Sequence, residues 1–261
     1  MQPRPVCLVT GAARRIGRII ALELAGHGHD VAVHYRNSKD EAFETVTAIA
    51  ALGVQGQAFQ ADLADEAACR ELFSSVASRF GRVDAVVNNA AIFEADDAMS
   101  FSQRSMERHW RANTAPAIAL TQALHAHLLG RAARGCVVNL LDQKLWNLNP
   151  DYFSYTLSKA ALQAATAMLA QAFAPLLRVC GVAPGVTLAS EPMTAAEFGI
   201  AERLTPLQHS STPLDVARAV RFLIESPAIT GTSLLVDGGQ HLSPQARDVL
   251  YLAQRSVAHG P

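Results

Sequence analysis

The sequence predicts a single α/β domain over residues 1–261: a doubly wound, mostly parallel sheet of seven strands with helices on both faces. Three observations carry this expectation. Short apolar runs alternate with longer runs of helical character from one end of the chain to the other. The first apolar run passes through a glycine-containing turn directly into a helical run. No repeat, low-complexity tract or linker divides the chain. Strands covered on both faces read as continuous apolar runs, and a β-α-β alternation implies parallel pairing.

In chain order, the strand-type runs are 6–10, 31–35, 57–60, 85–88, 136–140, 178–183 and 233–236. Between them lie helical runs at 16–25, 41–52, 66–80, 103–129, 154–173 and 214–225. Gly53, Gly81 and Gly130 stand at or just past predicted helix ends, where a left-handed residue closes the last turn.

Composition narrows the function classes. Half the residues are hydrophobic and 17% are charged, which suits a compact fold that buries its core without disulfides or metals. A net charge of −1 argues against a broad basic face for nucleic acid. No apolar stretch has the length of a signal peptide or membrane span, so a cytoplasmic protein with no membrane partner is expected. Cys7, Cys69, Cys136 and Cys180 form no CxxC pair and read as core thiols. His125 and His127, two apart on a helical run, point to different faces, and no metal site is expected.

The first strand run ends in Thr10 and Gly11 and continues through Arg14, Arg15, Ile16 and Gly17 into a helix. In such a turn, backbone N–H groups and the positive helix N-terminus face a pyrophosphate, with glycine where the backbone must approach closely. This position makes the chain a Rossmann-type dinucleotide binder by expectation. The second strand run ends in His34, Tyr35, Arg36, Asn37 and Ser38, with no acid before Asp40. A carboxylate there would repel a 2′-phosphate, whereas Arg36 and Ser38 can bind one, with Arg14 nearby. NADPH is therefore the expected cofactor.

Tyr155 and Lys159 are one helical turn apart and share a face. A tyrosine becomes a proton-transfer group when a neighbouring cation favours its phenolate, and Lys159 supplies that cation. Asp142, at the carboxyl end of the fifth strand run, faces the expected reaction centre, because ligands of such sheets bind outside those strand ends.

The turn from Thr10 to Gly17, the Asn88-Asn89-Ala90 run and the Tyr155 to Lys159 spacing resemble the short-chain dehydrogenase/reductase family, to Val236-Asp237-Gly238-Gly239 near the end. The resemblance implies Tyr155 as proton donor, Lys159 on the nicotinamide ribose, and Asn113 on a water-linked proton path. It extends the cofactor contacts to Tyr35, Asn37, Asp62, Leu63, Asn89, Ala90, Pro184 and Gly185. Most members carry serine where this chain has Asp142. That departure, with Arg15, Phe93 and Tyr152, resembles the pteridine reductase and dihydromonapterin reductase branch. There Arg15 would reach pyrophosphate and substrate, Phe93 would sandwich a pterin against the nicotinamide, and Tyr152 and Leu188 would line the pocket. Ala91 and Ile92 depart from the branch by lacking hydroxyls.

The expected function is NADPH-dependent reduction of a pterin. The alternatives are another NADPH carbonyl or imine reductase on the same scaffold and a catalytically idle nucleotide sensor. A substrate lid is expected over 188–211. The resemblance implies a homotetramer built on the 103–129 and 154–173 helices, with Ala160, Ala161, Ala164 and Ala165 permitting close approach or packing on the chain's own sheet.

Overall fold

The computed structural model describes residues 3–189 and 193–259. Positions 190–192 of the expected lid, and the extreme termini of the expected domain, lie outside the described residues. Seven strands form one sheet: β1 (Val6–Val9), β2 (Asp30–Tyr35), β3 (Gly56–Gln60), β4 (Ala85–Asn88), β5 (Gly135–Leu140), β6 (Leu177–Pro184) and β7 (Ser233–Val236). Their order is β3-β2-β1-β4-β5-β6-β7, and every pairing is parallel. The order reverses between β1 and β4, which opens a crevice at the carboxyl ends of those strands.

Strand parity sorts the core into two layers. Cys7, Val9, Val31, Val33 and Val138 point to the side covered by α1 (Arg15–Gly26), α2 (Lys39–Ala51) and α8 (Pro213–Glu225). Leu8, Ala32, Val86, Val137 and Val179 point to the other, covered by α3 (Glu66–Phe80), α5 (Ala115–Arg131) and α6 (Phe153–Phe173). Leu8, Leu120, Leu124 and Leu128 are fully buried, each contributing roughly 1.5–3 kcal/mol through removal from water. All four cysteines are free and buried.

Several expectations are corrected. The expected helix 103–129 is two α-helices, α4 (Gln103–His109) and α5, joined by a π turn at Trp110–Thr114. Pro116, at the start of α5, has no N–H for the carbonyl four residues back, so the regular ladder cannot run through it. Gly130 lies within α5, and the left-handed position that ends this helix falls on Ala132 instead. Gly53 and Gly81 do adopt positive φ, as expected.

Two further helices lie in stretches where the sequence predicts no secondary structure. Within the expected lid, α7 (Ala195–Arg203) begins with a Thr194–Glu197 capping box. Near the C-terminus, α9 (Val249–His259) packs on α7 through Ala201, Val249 and Ala253. No described helix is long and apolar enough to cross a membrane.

Candidate active site

The crevice at the β1/β4 reversal is a cleft of about 390 Å³. It brings together Gly11, Arg14, Arg15, Ile16, Gly17, Tyr35, Arg36, Asn37, Ser38, Asp62, Leu63, Asn89 and Ala90, all expected as cofactor contacts. Its floor is built by hydrogen bonds. Gly11 adopts a φ of +62°. A Cβ on Gly17 would stand 2.2 Å from the Gly11 carbonyl oxygen, so only glycine permits this turn. Asn89 Nδ2 donates to the carbonyls of Thr10 (2.9 Å) and Gly11 (3.2 Å), while Thr10 Oγ1 accepts from the N–H of Asn89 and of Ala90.

His34 clamps this turn, a role the sequence reading missed. Its Nδ1 accepts from the Gly11 N–H (3.0 Å) and its Nε2 faces the Ala61 carbonyl (3.1 Å), which selects the neutral tautomer with the proton on Nε2. Burial pushes its pKa down to about 4. Ala61 leads directly to Asp62 and Leu63, so one imidazole ties the phosphate turn to the loop after β3.

Arg14 and Arg36 are exposed at the cleft, and neither guanidinium has a hydrogen-bond or ion-pair partner among the described residues. Ser38 precedes α2 without capping it through its side chain. These free donors, beside a close-packed glycine turn at a helix N-terminus, fit a phosphorylated dinucleotide. Arg15 stands in the left-handed region at a φ of 53° and donates from Nη2 to the Ala189 carbonyl (3.0 Å), which joins the glycine turn after β1 to the start of the expected lid. Leu188 lies beside that contact and is half-buried. Pro184 ends β6 and Gly185 follows it; the Gly185 N–H donates to the Val236 carbonyl, and a Cβ there would meet Asp237 at 2.8 Å.

Tyr155, Asp142 and Lys159, expected as proton-transfer groups, meet at the carboxyl end of β5. Tyr155 O–H donates to Asp142 Oδ2 (2.8 Å), and the Lys144 N–H donates to Asp142 Oδ1 (2.9 Å). Lys159 Nζ donates to the Leu140 carbonyl (2.6 Å) and lies 5.8 Å from the Tyr155 ring centroid. The expectation that Lys159 favours a Tyr155 phenolate meets opposing influences at these contacts. Burial, then the charge and hydrogen bond of Asp142, push Tyr155 well above the usual tyrosine range. Burial also raises Asp142 against its two hydrogen bonds and brings Lys159 down to about 8.

Asn113 sits in the π turn and is buried. Its Oδ1 accepts from the Ile92 N–H (2.8 Å), and its Nδ2 donates to the Ile92 carbonyl and to Ser158 Oγ. It thus fastens the loop after β4, which carries Phe93, to α6. Phe93 stacks on Tyr152 (4.0 Å between centroids, 17°) and meets Tyr155 edge-on at 4.7 Å. Tyr152, in the left-handed region at a φ of 55°, begins α6. Such a conformation in a non-glycine residue persists only where its surroundings hold it. Asp96 supplies one restraint, accepting from the Ser154 N–H and Oγ–H.

The sequence also gave no hint that α9 walls this site. Leu250 packs with Tyr152 and Tyr155, and the Tyr251 ring lies 6.3 Å from that of Tyr152.

Comparison with known proteins agrees with this geometry. The family model described as enoyl-(acyl carrier protein) reductase matches residues 11–241. A 3-oxoacyl-[acyl-carrier-protein] reductase, FabG, of Staphylococcus epidermidis is 34% identical over 241 residues, which cover 90% of this chain and 98% of that protein. Among solved structures, the FolM alternative dihydrofolate reductase 1 of Brucella canis, complexed with NADP, superposes with a TM-score of 0.89 at 38% identity, covering 95% of this chain and 98% of that one. The Brucella suis counterpart, also in complex with NADP, gives 0.89 at 39% identity, covering 95% and 99%.

Proposed function

The chain belongs to the short-chain dehydrogenase/reductase family, and from that premise we propose that it is an NADPH-dependent reductase of pterins, taking a dihydropterin to a tetrahydropterin. NADP(H) as cofactor is supported by the free Arg14 and Arg36 at the cleft and by the NADP complexes of the two Brucella relatives. When bound, NADPH supplies the hydride.

This chain's residues supply the proton and the orientation. Reduction of a pterin C=N bond at C6 or C7 leaves the adjacent ring nitrogen in need of a proton, and Tyr155, held as a phenol, donates it. Asp142 accepts from N–H groups of the substrate or holds Tyr155 in place through Oδ2. Lys159, with a pKa near 8, stands by the tyrosine as a cation at neutral pH. Phe93 and Tyr152 offer aromatic faces to the ring, while Arg15 and Leu188 border the pocket at the lid.

One observation carries the pterin reading: a carboxylate, not a serine, receives the Tyr155 O–H at 2.8 Å. A carbonyl substrate offers no N–H to a carboxylate, whereas a pterin offers several. An NADPH-dependent carbonyl or imine reductase of a non-pterin molecule is the second reading, favoured by the likeness to 3-oxoacyl-[acyl-carrier-protein] reductase and by hydroxyl-free Ala91 and Ile92. An idle sensor has no use for the intact Tyr155, Lys159 and Asn113 set. Assaying NADPH oxidation with dihydropterin, oxidised pterin, ketones and a 3-oxoacyl thioester decides among them. Dihydropterin is expected to give the highest kcat/KM, and a ketone or thioester preferred over it would overturn the proposal.

A homotetramer is part of the same reading. On α6, Leu157, Ala164 and Met168 are exposed at helical spacing, and Trp110 is exposed on the π turn. A stable monomer at micromolar concentration by light scattering would sink it.

A further inference from the structure

Thirteen residues separate Asp142 from Tyr155, yet their side chains meet at 2.8 Å. The path between them is the 143–151 loop, which opens as a 3-10 turn at Gln143–Trp146. What holds that loop comes from about a hundred residues further on. Asn147 Nδ2 donates to the Ser243 carbonyl (2.7 Å) and its Oδ1 accepts from the Gln245 N–H. Arg247 and the Asp248 N–H both donate to the Asp151 carboxylate. Lys144, 3% exposed, donates from Nζ to Asp248 Oδ2 (2.9 Å) and to Asn149 Oδ1. Asp248 in turn accepts the Leu250 N–H at the start of α9.

Lys144 therefore has two tasks at once. Its backbone N–H fixes Asp142 Oδ1, and its ammonium ties the same turn to the C-terminal segment. We propose that Lys144 and Asp248 are a positioning pair whose contact seats the C-terminal segment on the 143–151 loop and thereby holds Asp142 against Tyr155. The pair touches no reacting atom, and the proposal rests on the reading that Asp142 acts in the reduction. A buried ammonium facing a single carboxylate is costly to leave unpaired, so the seated arrangement is strongly favoured over a displaced one.

The charged and titratable groups around the Asp142–Tyr155 contact are Lys159 on α6, Lys144 on the 3-10 turn, Asp248 before α9, Tyr152 and Tyr251 in the same packed cluster, and His109 on α4, whose ring centroid lies 6.4 Å from that of Tyr155. Asp248 adds to the upward push on both Asp142 and Tyr155. Replacing it by asparagine keeps the shape and removes that push.

The test uses the full-length chain with Lys144→Met, Lys144→Arg and Asp248→Asn. Thermal melting and NADPH affinity by fluorescence confirm that each variant is folded. Lys144→Met is expected to lower kcat for dihydropterin by about tenfold to a hundredfold, the scale of a misplaced catalytic group, with KM for NADPH little changed. Lys144→Arg is expected to recover most of that loss. Independently of any turnover, the tyrosinate absorbance titration of Tyr155, obtained by difference against Tyr155→Phe, is expected to move to lower pH in Lys144→Met, because Asp142 leaves the hydroxyl. Loss of the ammonium charge alone would move it to higher pH, and Asp248→Asn serves as the charge control. Variants that melt earlier but keep kcat and the Tyr155 titration unchanged would reduce the pair to a structural brace and overturn the proposal. Should the unmodified chain reduce no pterin, the functional reading fails, and the Tyr155 titration still decides the positioning pair.

Discussion

The cleft at the β1/β4 reversal and the carboxyl end of β5 handle charge in opposite ways. On the β1–β3 side, Arg14 and Arg36 stand exposed with no partner among the described residues. On the β5–β6 side, Lys144, Lys159, Asp142 and Asp151 are buried or half-buried, and each has a partner within the fold. Free surface cations recognise an anionic ligand at little internal cost, and their loss subtracts binding. Buried, mutually bonded groups are oriented before any ligand arrives, and their loss disturbs chemistry. Substitutions on the first side are thus expected to change cofactor affinity, and on the second turnover.

The severest way to probe the second side is Tyr155→Phe, which removes the proton donor and keeps the ring. Its kcat is expected to fall by roughly 10²–10⁴ while NADPH affinity stays within about twofold. Stopped-flow turnover with fluorescence titration measures both, and a parallel loss of affinity would break the contrast between the two sides. Asp142→Ser comes next. Pterin turnover is expected to drop by about tenfold or more with unchanged NADPH binding, since a charge-assisted bond goes with the carboxylate. Turnover that survives this change would leave an NADPH reductase without an argument for pterins.

On the first side, Arg36→Asp is expected to erase or invert a preference for NADPH over NADH of about tenfold, or ~1.4 kcal/mol, with kcat at saturation nearly untouched. Equal affinity of the unmodified protein for both cofactors would defeat it. A smaller effect follows from pH. Lys159 loses its proton near pH 8 in the folded chain, below its ordinary 10.5. Between those values the unfolded chain binds the extra proton, so this group's contribution to stability rises with pH, in full above 10.5 and lost as pH falls through 8. Activity runs the other way, and kcat is expected to decline above about pH 8 while the melting temperature shows no loss from this group. A kcat flat to pH 10 would remove Lys159's charge from the mechanism.

The same division marks what the sequence made legible. The phosphate turn, the basic end of β2 and the Tyr155–Lys159 spacing are local patterns, and the structure places all of them at one cleft or beside it. Asp142 is legible because it stands at the carboxyl end of the fifth strand run, where most members of the resembled family carry serine. Lys144 and Asp248 lie 104 residues apart, inside stretches rich in polar residues, proline and turns that read as solvated loop. Only tertiary packing buries them. His34 was read as a strand end, with no local signal that its ring would bridge Gly11 and Ala61. The break after α4 did have a signal: Pro116 stands inside an otherwise helical run.

That π turn has a consequence for chain length. It holds one more residue than an α turn of the same rise, so α4 and α5 keep separate rotational phases, His109 inward on one and Leu120, Leu124 and Leu128 inward on the other. Removing one residue between 110 and 114 would take away the residue by which this turn exceeds an α turn, while Pro116 would still interrupt the ladder into α5. Asn113, hydrogen-bonded to Ile92 and Ser158 from within this turn, is then expected to lose those partners. No single substitution imitates that change, so this segment is expected to accept many replacements of its exposed side chains, such as Arg111, while rejecting any change in its number of residues.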